Sequence, residues 1–308
     1  MTSPPAPRSI LNDMVPTPVD GIEGRYFLRV TPDWCVLYVF GGFTKALALD
    51  AARQELQRPD LTFLSAQCTY VAPIPAGGIA VQVEVLRNGR RGAQTSVRLW
   101  STEDPRSLPG TDLCVDVVFA SPDHHGAVLL GEQFPADASD PSLARSRDEF
   151  ARPAFAEIPF HRQTDWRLSV GSFSPDAEPT VPRSVSWFRF HESPITAGVW
   201  DPAALAVPGD ILGPAVITGL GGAQQYFVVT MQLSLQWFAP CTTEWICQHA
   251  NVIAGVGGFV TGVAELWSET KELVGFATQT AILRPVDRVA ADRAQVSPGK
   301  LENSSPVD

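Results

Sequence analysis

The sequence contains no run of about 18 consecutive apolar residues, so no membrane-spanning helix is expected from it. Basic residues are in short supply: 23 Lys and Arg against 33 Asp and Glu give a formal net charge of -10. Nucleic-acid surfaces need clustered cations, and none are present, so a nucleic-acid partner is not expected. The nearest approach to a cluster is Arg87, Arg90 and Arg91 around the turn pair Asn88-Gly89. That pattern reads as a solvated hairpin tip, with a phosphate-meeting patch as the lesser alternative.

Cysteine is scarce and odd in number. Cys35, Cys68, Cys114, Cys241 and Cys247 lie mostly in apolar, strand-like runs, where the thiol acts as a small hydrophobe and no disulfide framework is expected. The opening residues, MTSPPAPRSILNDMV, lack the apolar core of a secretory leader, and a cytoplasmic or otherwise reducing compartment is the expectation. His124, His125, His161, His191 and His249 are scattered without metal-ligand spacing, so no metal and no cofactor is expected. No G-x-S-x-G elbow is present, which argues against a covalent acyl-enzyme. Gly255-Val256-Gly257-Gly258 lacks the lysine of a phosphate loop and reads as a strand turn.

What the chain does have is apolar material: 44% hydrophobic and 18% charged residues over 308 positions suffice for a large core. The segment 41–56, GGFTKALALDAARQEL, carries Ala and Leu at helical spacing and reads as one mostly buried helix. Four strand-like runs follow, at 61–73, 77–90, 92–101 and 112–122. The second half repeats the order. A Gly- and Pro-punctuated apolar segment at 210–222 takes the helix's place, and strands follow at 225–240, 243–255, 257–268 and 272–285. Tyr70-Val71-Ala72-Pro73 parallels Trp237-Phe238-Ala239-Pro240, and such self-similarity marks a duplicated unit.

The expected organisation is therefore an N-terminal extension over 1–24, a first repeat over 25–122 and a linker over 123–180 rich in Pro, Asp, Ser and Arg. A second repeat over 181–288 and a loosely ordered tail over 289–308 complete it. The fold class is α+β, each repeat a long helix wrapped by a curved antiparallel sheet.

With Gly41-Gly42 at the head of the first helix, the strand pair leading into Leu86-Arg87-Asn88-Gly89-Arg90, and the block from Thr230 through Pro240 to Gln279, the chain resembles the acyl-CoA thioesterase II family. That family consists of tandem, or double, hotdog repeats in one chain. The resemblance implies a pocket at the repeat interface for an acyl-CoA or carrier-bound acyl substrate, with a Thr, an Asp and a Gln orienting water onto the thioester. Residue by residue it places the Thr at Thr230 and the Gln at Gln279. The family's Asp falls on Ile217 or Thr218, so the acid is expected to be missing and Thr218 is carried as the third catalytic candidate. Asp210 reads instead as a helix N-cap. Gly41, Gly42, Gly258 and Trp237 are the expected substrate contacts. Asp116, in the place that Gln279 holds in the other repeat, reads as a residue on a solvent-facing strand surface.

The resemblance implies a thioester hydrolase of lipid metabolism. Two alternatives stand beside it: a hotdog enzyme turned to dehydration or cyclisation in a biosynthetic pathway, and a non-catalytic acyl-thioester-binding protein. A monomer and a homodimer are both compatible with the sequence.

Overall fold

The alternating strands gather into one antiparallel sheet of 13 strands, seen in a computed structural model that describes residues 6–122, 131, 133–150, 158–174, 176–221 and 226–285. The first half supplies β1 (Thr17–Pro18), β2 (Arg25–Val30), β3 (Thr62–Tyr70), β4 (Gly77–Gly89), β5 (Gly92–Ser101) and β6 (Leu113–Ala120). The second supplies β7 (Arg145–Ser146), β8 (Thr164–Val170), β9 (Arg183–Phe190), then β12 (Tyr226–Trp237), β13 (Ile246–Val256), β14 (Phe259–Ser268) and β15 (Leu273–Pro285). The separate ribbon of β10 (Ile195–Thr196) and β11 (Val199–Trp200) lies between them in sequence.

The spatial order is β1-β2-β4-β5-β6-β3-β12-β15-β14-β13-β9-β8-β7. Read outward from the centre, β3-β6-β5-β4-β2 on one side matches β12-β15-β14-β13-β9 on the other. The halves thus meet through antiparallel β3 and β12, from Gln232 opposite Thr69 to Gln236 opposite Ser65. This is the double hotdog arrangement.

Binary patterning accounts for the faces. In β6, Leu113, Val115, Val117 and Phe119 are buried while Asp116 is exposed, as a strand with one wet face requires. The helix α1 (Gly41–Leu56) is buried on nearly every side because its small Ala residues let sheet and neighbouring helices approach closely.

In the second repeat one long helix does not form. Pro208-Gly209 breaks it: a 3₁₀ turn over Pro202–Leu205 leads into α2 (Ala206–Gly209), the chain bends at Asp210 (φ -93, ψ 69), and α3 (Leu212–Gly219) follows. The stretch Pro202–Gly219 is apolar enough over its 18 residues to match a membrane span by composition, and 61% of it is buried in the protein.

Three further expectations are refined. The N-terminal extension is tied down: Ile10 and Met14 are buried, and Trp34 Nε1 donates to Asp13 at 2.8 Å. The stretch expected as a linker contributes β7 and β8 to the sheet edge and a 3₁₀ turn over Pro159–Arg162. The β4–β5 hairpin turns at Arg90-Arg91, flanked by paired Gly89 and Gly92, one step beyond Asn88-Gly89. All five cysteines are free thiols. The tail over 289–308 lies outside the described residues.

Candidate active site

The site starts from an irregularity in β12. Thr230 pairs with Ala281 and Gln232 with Thr280, so Met231 is an extra residue, a β-bulge. Leu233 and Leu235 face the core, and strict alternation would turn Thr230 to the opposite face. The bulge reverses the parity. Thr230 thereby points inward, on the same face as Gln279 of the adjacent β15, which lies opposite Leu233.

The break between α2 and α3 delivers the third member. Asp210 is largely buried, and its Oδ1 accepts from Thr230 Oγ1 at 2.8 Å and from Gln279 Nε2 at 2.8 Å. Gln279 Nε2 also donates to Thr230 Oγ1 at 2.7 Å, while its Oε1 accepts from the backbone N–H of Leu212 at 3.1 Å. That last bond fixes which end of the amide faces the carboxylate, and both amide protons are then engaged. A third donor to the carboxylate comes from the other repeat, the backbone N–H of Gly42 at the start of α1.

The expectation that no carboxylate reaches Thr230 and Gln279 is therefore corrected. Asp210 is not the helix N-cap it resembled either: residue Ile211 caps α3, and the side chain of Asp210 turns into the cleft. The capping role belongs to Asp201, whose Oδ1 accepts from Ala203 N at 2.9 Å.

Burial pushes the Asp210 carboxyl above its ordinary range, against the pull of Thr230, Gly42 N–H, the Lys45 charge and Gln279. Lys45 lies wholly buried one turn into α1, where Nζ donates to the carbonyls of Ala66 at 3.1 Å and Leu233 at 3.0 Å, one from each half of the sheet. Burial holds its pKa down. Tyr70 donates to Gly41 O at 2.8 Å, and desolvation at this partly buried position raises its phenol well above the usual titration range.

These groups border a cavity of about 510 Å³ at the joint of the repeats. Gly41, Asp210, Thr230 and Gln279 lie on one part of its wall, and Tyr38, Phe40, Phe160, Trp166, Phe173 and Phe188 contribute aromatic rings to a mainly apolar lining. Phe40 stacks on Phe160 at 4.4 Å between centroids, which anchors the loop before Gly41. Such a volume suits a small-molecule chain rather than a surface contact.

The other candidates fall elsewhere. Thr218 is buried at the end of α3 and accepts from Ser172 N at 3.1 Å, away from the cavity wall. Gly258 sits in the β13–β14 turn at φ +84, beside a separate hollow of about 240 Å³. Trp237 is core: its Nε1 donates to Pro202 O at 2.9 Å and its ring packs on Phe63. Gly41 borders the cavity, and Gly42 bonds Asp210. Arg147 and Gln248 also line the cavity without having been singled out in the sequence. Among the described residues, no group of three or more His, Cys, Asp or Glu could hold a metal ion.

Comparison with known families decides the kinship. The family model for the acyl-CoA thioesterase N-terminal domain matches residues 30–119, and that for the C-terminal domain matches residues 135–283. The chain belongs to the acyl-CoA thioesterase family. The second match begins well inside the stretch expected as a linker, in keeping with β7 and β8 joining the sheet.

Two solved structures share this thioesterase-family fold at 18% identity and a TM-score of 0.73. One is a hot dog fold protein of unknown function from Alicyclobacillus acidocaldarius, covering 89% of this chain and 97% of its own. The other is a putative thioesterase II from Thermobifida fusca, covering 91% and 98%. A more distant likeness, at a TM-score of 0.52 and 17% identity over 88% and 94%, is the bifunctional dehydratase-cyclase domain of ambruticin biosynthesis. No curated protein sequence matches the chain.

Proposed function

We propose that this chain hydrolyses an acyl-CoA or carrier-bound acyl thioester with water held by Asp210, Thr230 and Gln279. The observation that carries the reading is the bonding pattern around Asp210 Oδ1, which accepts from Thr230 and Gln279 inside an apolar cavity. Thr230 and Gln279 have spent their protons on the carboxylate and on each other. The group that remains able to accept a proton from water is the carboxylate, with the Thr230 lone pair beside it. Its raised pKa makes it a stronger base than an exposed aspartate.

Water oxygen attacks the thioester carbonyl carbon as Asp210 takes its proton. The carbon–sulfur bond then breaks, the leaving thiolate takes the proton back from Asp210, and a carboxylic acid is released with the base restored. Negative charge that builds on the carbonyl oxygen needs a donor. Gly41 opens α1, so its N–H has no acceptor within the helix, and it borders the cavity at the positive end of the helix. A side chain there would have no room, since a Cβ on Gly41 would lie 2.6 Å from Asp210 Oδ2.

The test is release of free thiol from short-, medium- and long-chain acyl-CoAs by the purified protein, beside Thr230→Ala. Release that collapses in the variant supports the reading. Binding of acyl-CoA with no release at any chain length overturns it in favour of a pocket that binds thioesters without hydrolysing them.

A further inference from the structure

The cavity wall carries a charge that the hydrolytic reading does not use. Arg147, in the helical turn Arg147–Phe150, borders the cavity beside Phe160, Thr164 and Trp166. One terminal nitrogen, Nη1, donates to His161 O at 2.7 Å and Thr164 O at 3.3 Å, and Nη2 donates to Thr164 Oγ1 at 3.3 Å. Three of the five guanidinium protons are accounted for in this way, all on neutral acceptors.

No carboxylate among the described residues pairs with this charge. Asp165 is near enough to be felt, yet it is held by Arg167 and Arg189 at 3.2 Å each. Asp148, in the same turn, also favours the charge, but it is exposed to solvent and forms no ion pair with Arg147. The cost of this placement is visible as a guanidinium pKa lowered by burial to about 10. Among the described residues that border the cavity, Asp210 is the one acid, while Arg147 and Arg284 are both cationic. A desolvated arginine facing an apolar cavity needs an anion, and its planar fork suits an oxygen pair.

We propose that Arg147 binds an anionic oxygen group of the thioester substrate, making the cavity selective for ligands that carry a negative charge. This rests on the thioester-binding reading of the cavity, and it does not need hydrolysis. The aromatic walls around Arg147 favour a carboxylate at the far end of the acyl chain. A phosphate of the CoA or phosphopantetheine arm offers the same chemistry.

The experiment is titration calorimetry with non-hydrolysable thioether ligands, so that binding is read whether or not the protein hydrolyses thioesters. Four probes are compared: S-alkyl-CoA, S-(ω-carboxyalkyl)-CoA of matched chain length, and the two corresponding derivatives of N-acetylcysteamine, which lack phosphate. Each is titrated into wild type, Arg147→Gln and Arg147→Lys, with thermal melting as the check on folding. The expected result is that the carboxylated chain binds about ten- to a hundredfold more tightly than the alkyl chain, and that Arg147→Gln abolishes this preference while Arg147→Lys retains part of it. Weakening of both CoA ligands with neither N-acetylcysteamine ligand affected supports the proposal with phosphate as the anion. Unchanged affinities in Arg147→Gln, or equal weakening of all four ligands including the neutral phosphate-free one, overturn it and leave Arg147 as a brace for the 160–164 segment.

Discussion

The backbone N–H of Gly42, in the first repeat, donates to the carboxylate of Asp210, in the second. The candidate base is thus held by both halves of a duplicated chain, three of its donors arriving from the head of α1, from β12 and from β15. Gly42 has little freedom to change: a Cβ there would lie 2.6 Å from Val207 Cα and 2.7 Å from Ala206 O, both backbone. Gly42→Ala is expected to push α1 and α2 apart, to cost about 1–3 kcal/mol of stability by overpacking, and to lower thiol release more than tenfold. Chemical denaturation and thiol release on the same sample check both.

The pH dependence has a definite sign. A base must be ionised, and burial raises the Asp210 carboxyl above its ordinary range of about 3.9. The rate constant kcat/KM is therefore expected to rise with pH along a limb lying above that range. For stability, the folded state holds this proton more tightly than the unfolded chain does. The contribution of Asp210 to folding is then largest at low pH and declines as pH climbs from the unfolded pKa through the folded one. Asp210→Asn is expected to melt no lower than wild type at neutral pH, which thermal scans check.

Lys45 supplies a test of the electrostatics. Its charge favours ionised Asp210, although both groups suffer from burial. Lys45→Met keeps most of the volume and removes the charge, and the acidic limb of the kcat/KM profile is expected to move to higher pH. An unmoved limb in a folded variant would show that the charge has no hold on the base.

Gln279 and Thr230 should separate by consequence. Gln279→Ala frees the Thr230 oxygen, exposes the Leu212 N–H and removes one donor from Asp210, whereas Thr230→Ala removes the hydroxyl beside the base. Each is expected to lower kcat about ten- to a hundredfold, since a hydrogen bond to a charged group is worth about 1.5–3 kcal/mol. Together they should cost less than the product of the two, because the residues share one network. Steady-state thiol release on the double-mutant cycle measures this.

Much of the fold was legible in the sequence because its signals are local and repeated. Alternation in Leu113–Phe119, the Ala-rich run after Gly41-Gly42, and the paired strand ends at Pro73 and Pro240 give two copies of a helix and a sheet. Thr230 and Gln279 rest on the family resemblance rather than on local patterning, and the fold brings both to one cavity wall. Asp210 is hard to place from the sequence because it heads an apolar segment and reads as a helix N-cap, while the resemblance puts the family's acid at Ile217 or Thr218. The clue was Pro208-Gly209 directly before it, a pair that breaks a helix and frees the next side chain to turn away. Thr230 carries a similar lesson, for strict alternation from Leu233 points it the wrong way and a bulge at Met231 cannot be read from residue types. Arg147 escaped notice because its stretch has the composition of a linker, and its strand pairing is a matter of tertiary context.

The most direct test of the account is the rate of thiol release from an acyl-CoA by Asp210→Asn against wild type, at a pH well above the acidic limb. The substitution keeps an oxygen that Thr230 and Gln279 can donate to, and takes away the proton acceptor. A fall in kcat of about a hundredfold or more, with affinity for a non-hydrolysable thioether analogue held within a few-fold, is the predicted result. A variant that still hydrolyses at close to the wild-type rate would contradict the assignment of Asp210 as the base.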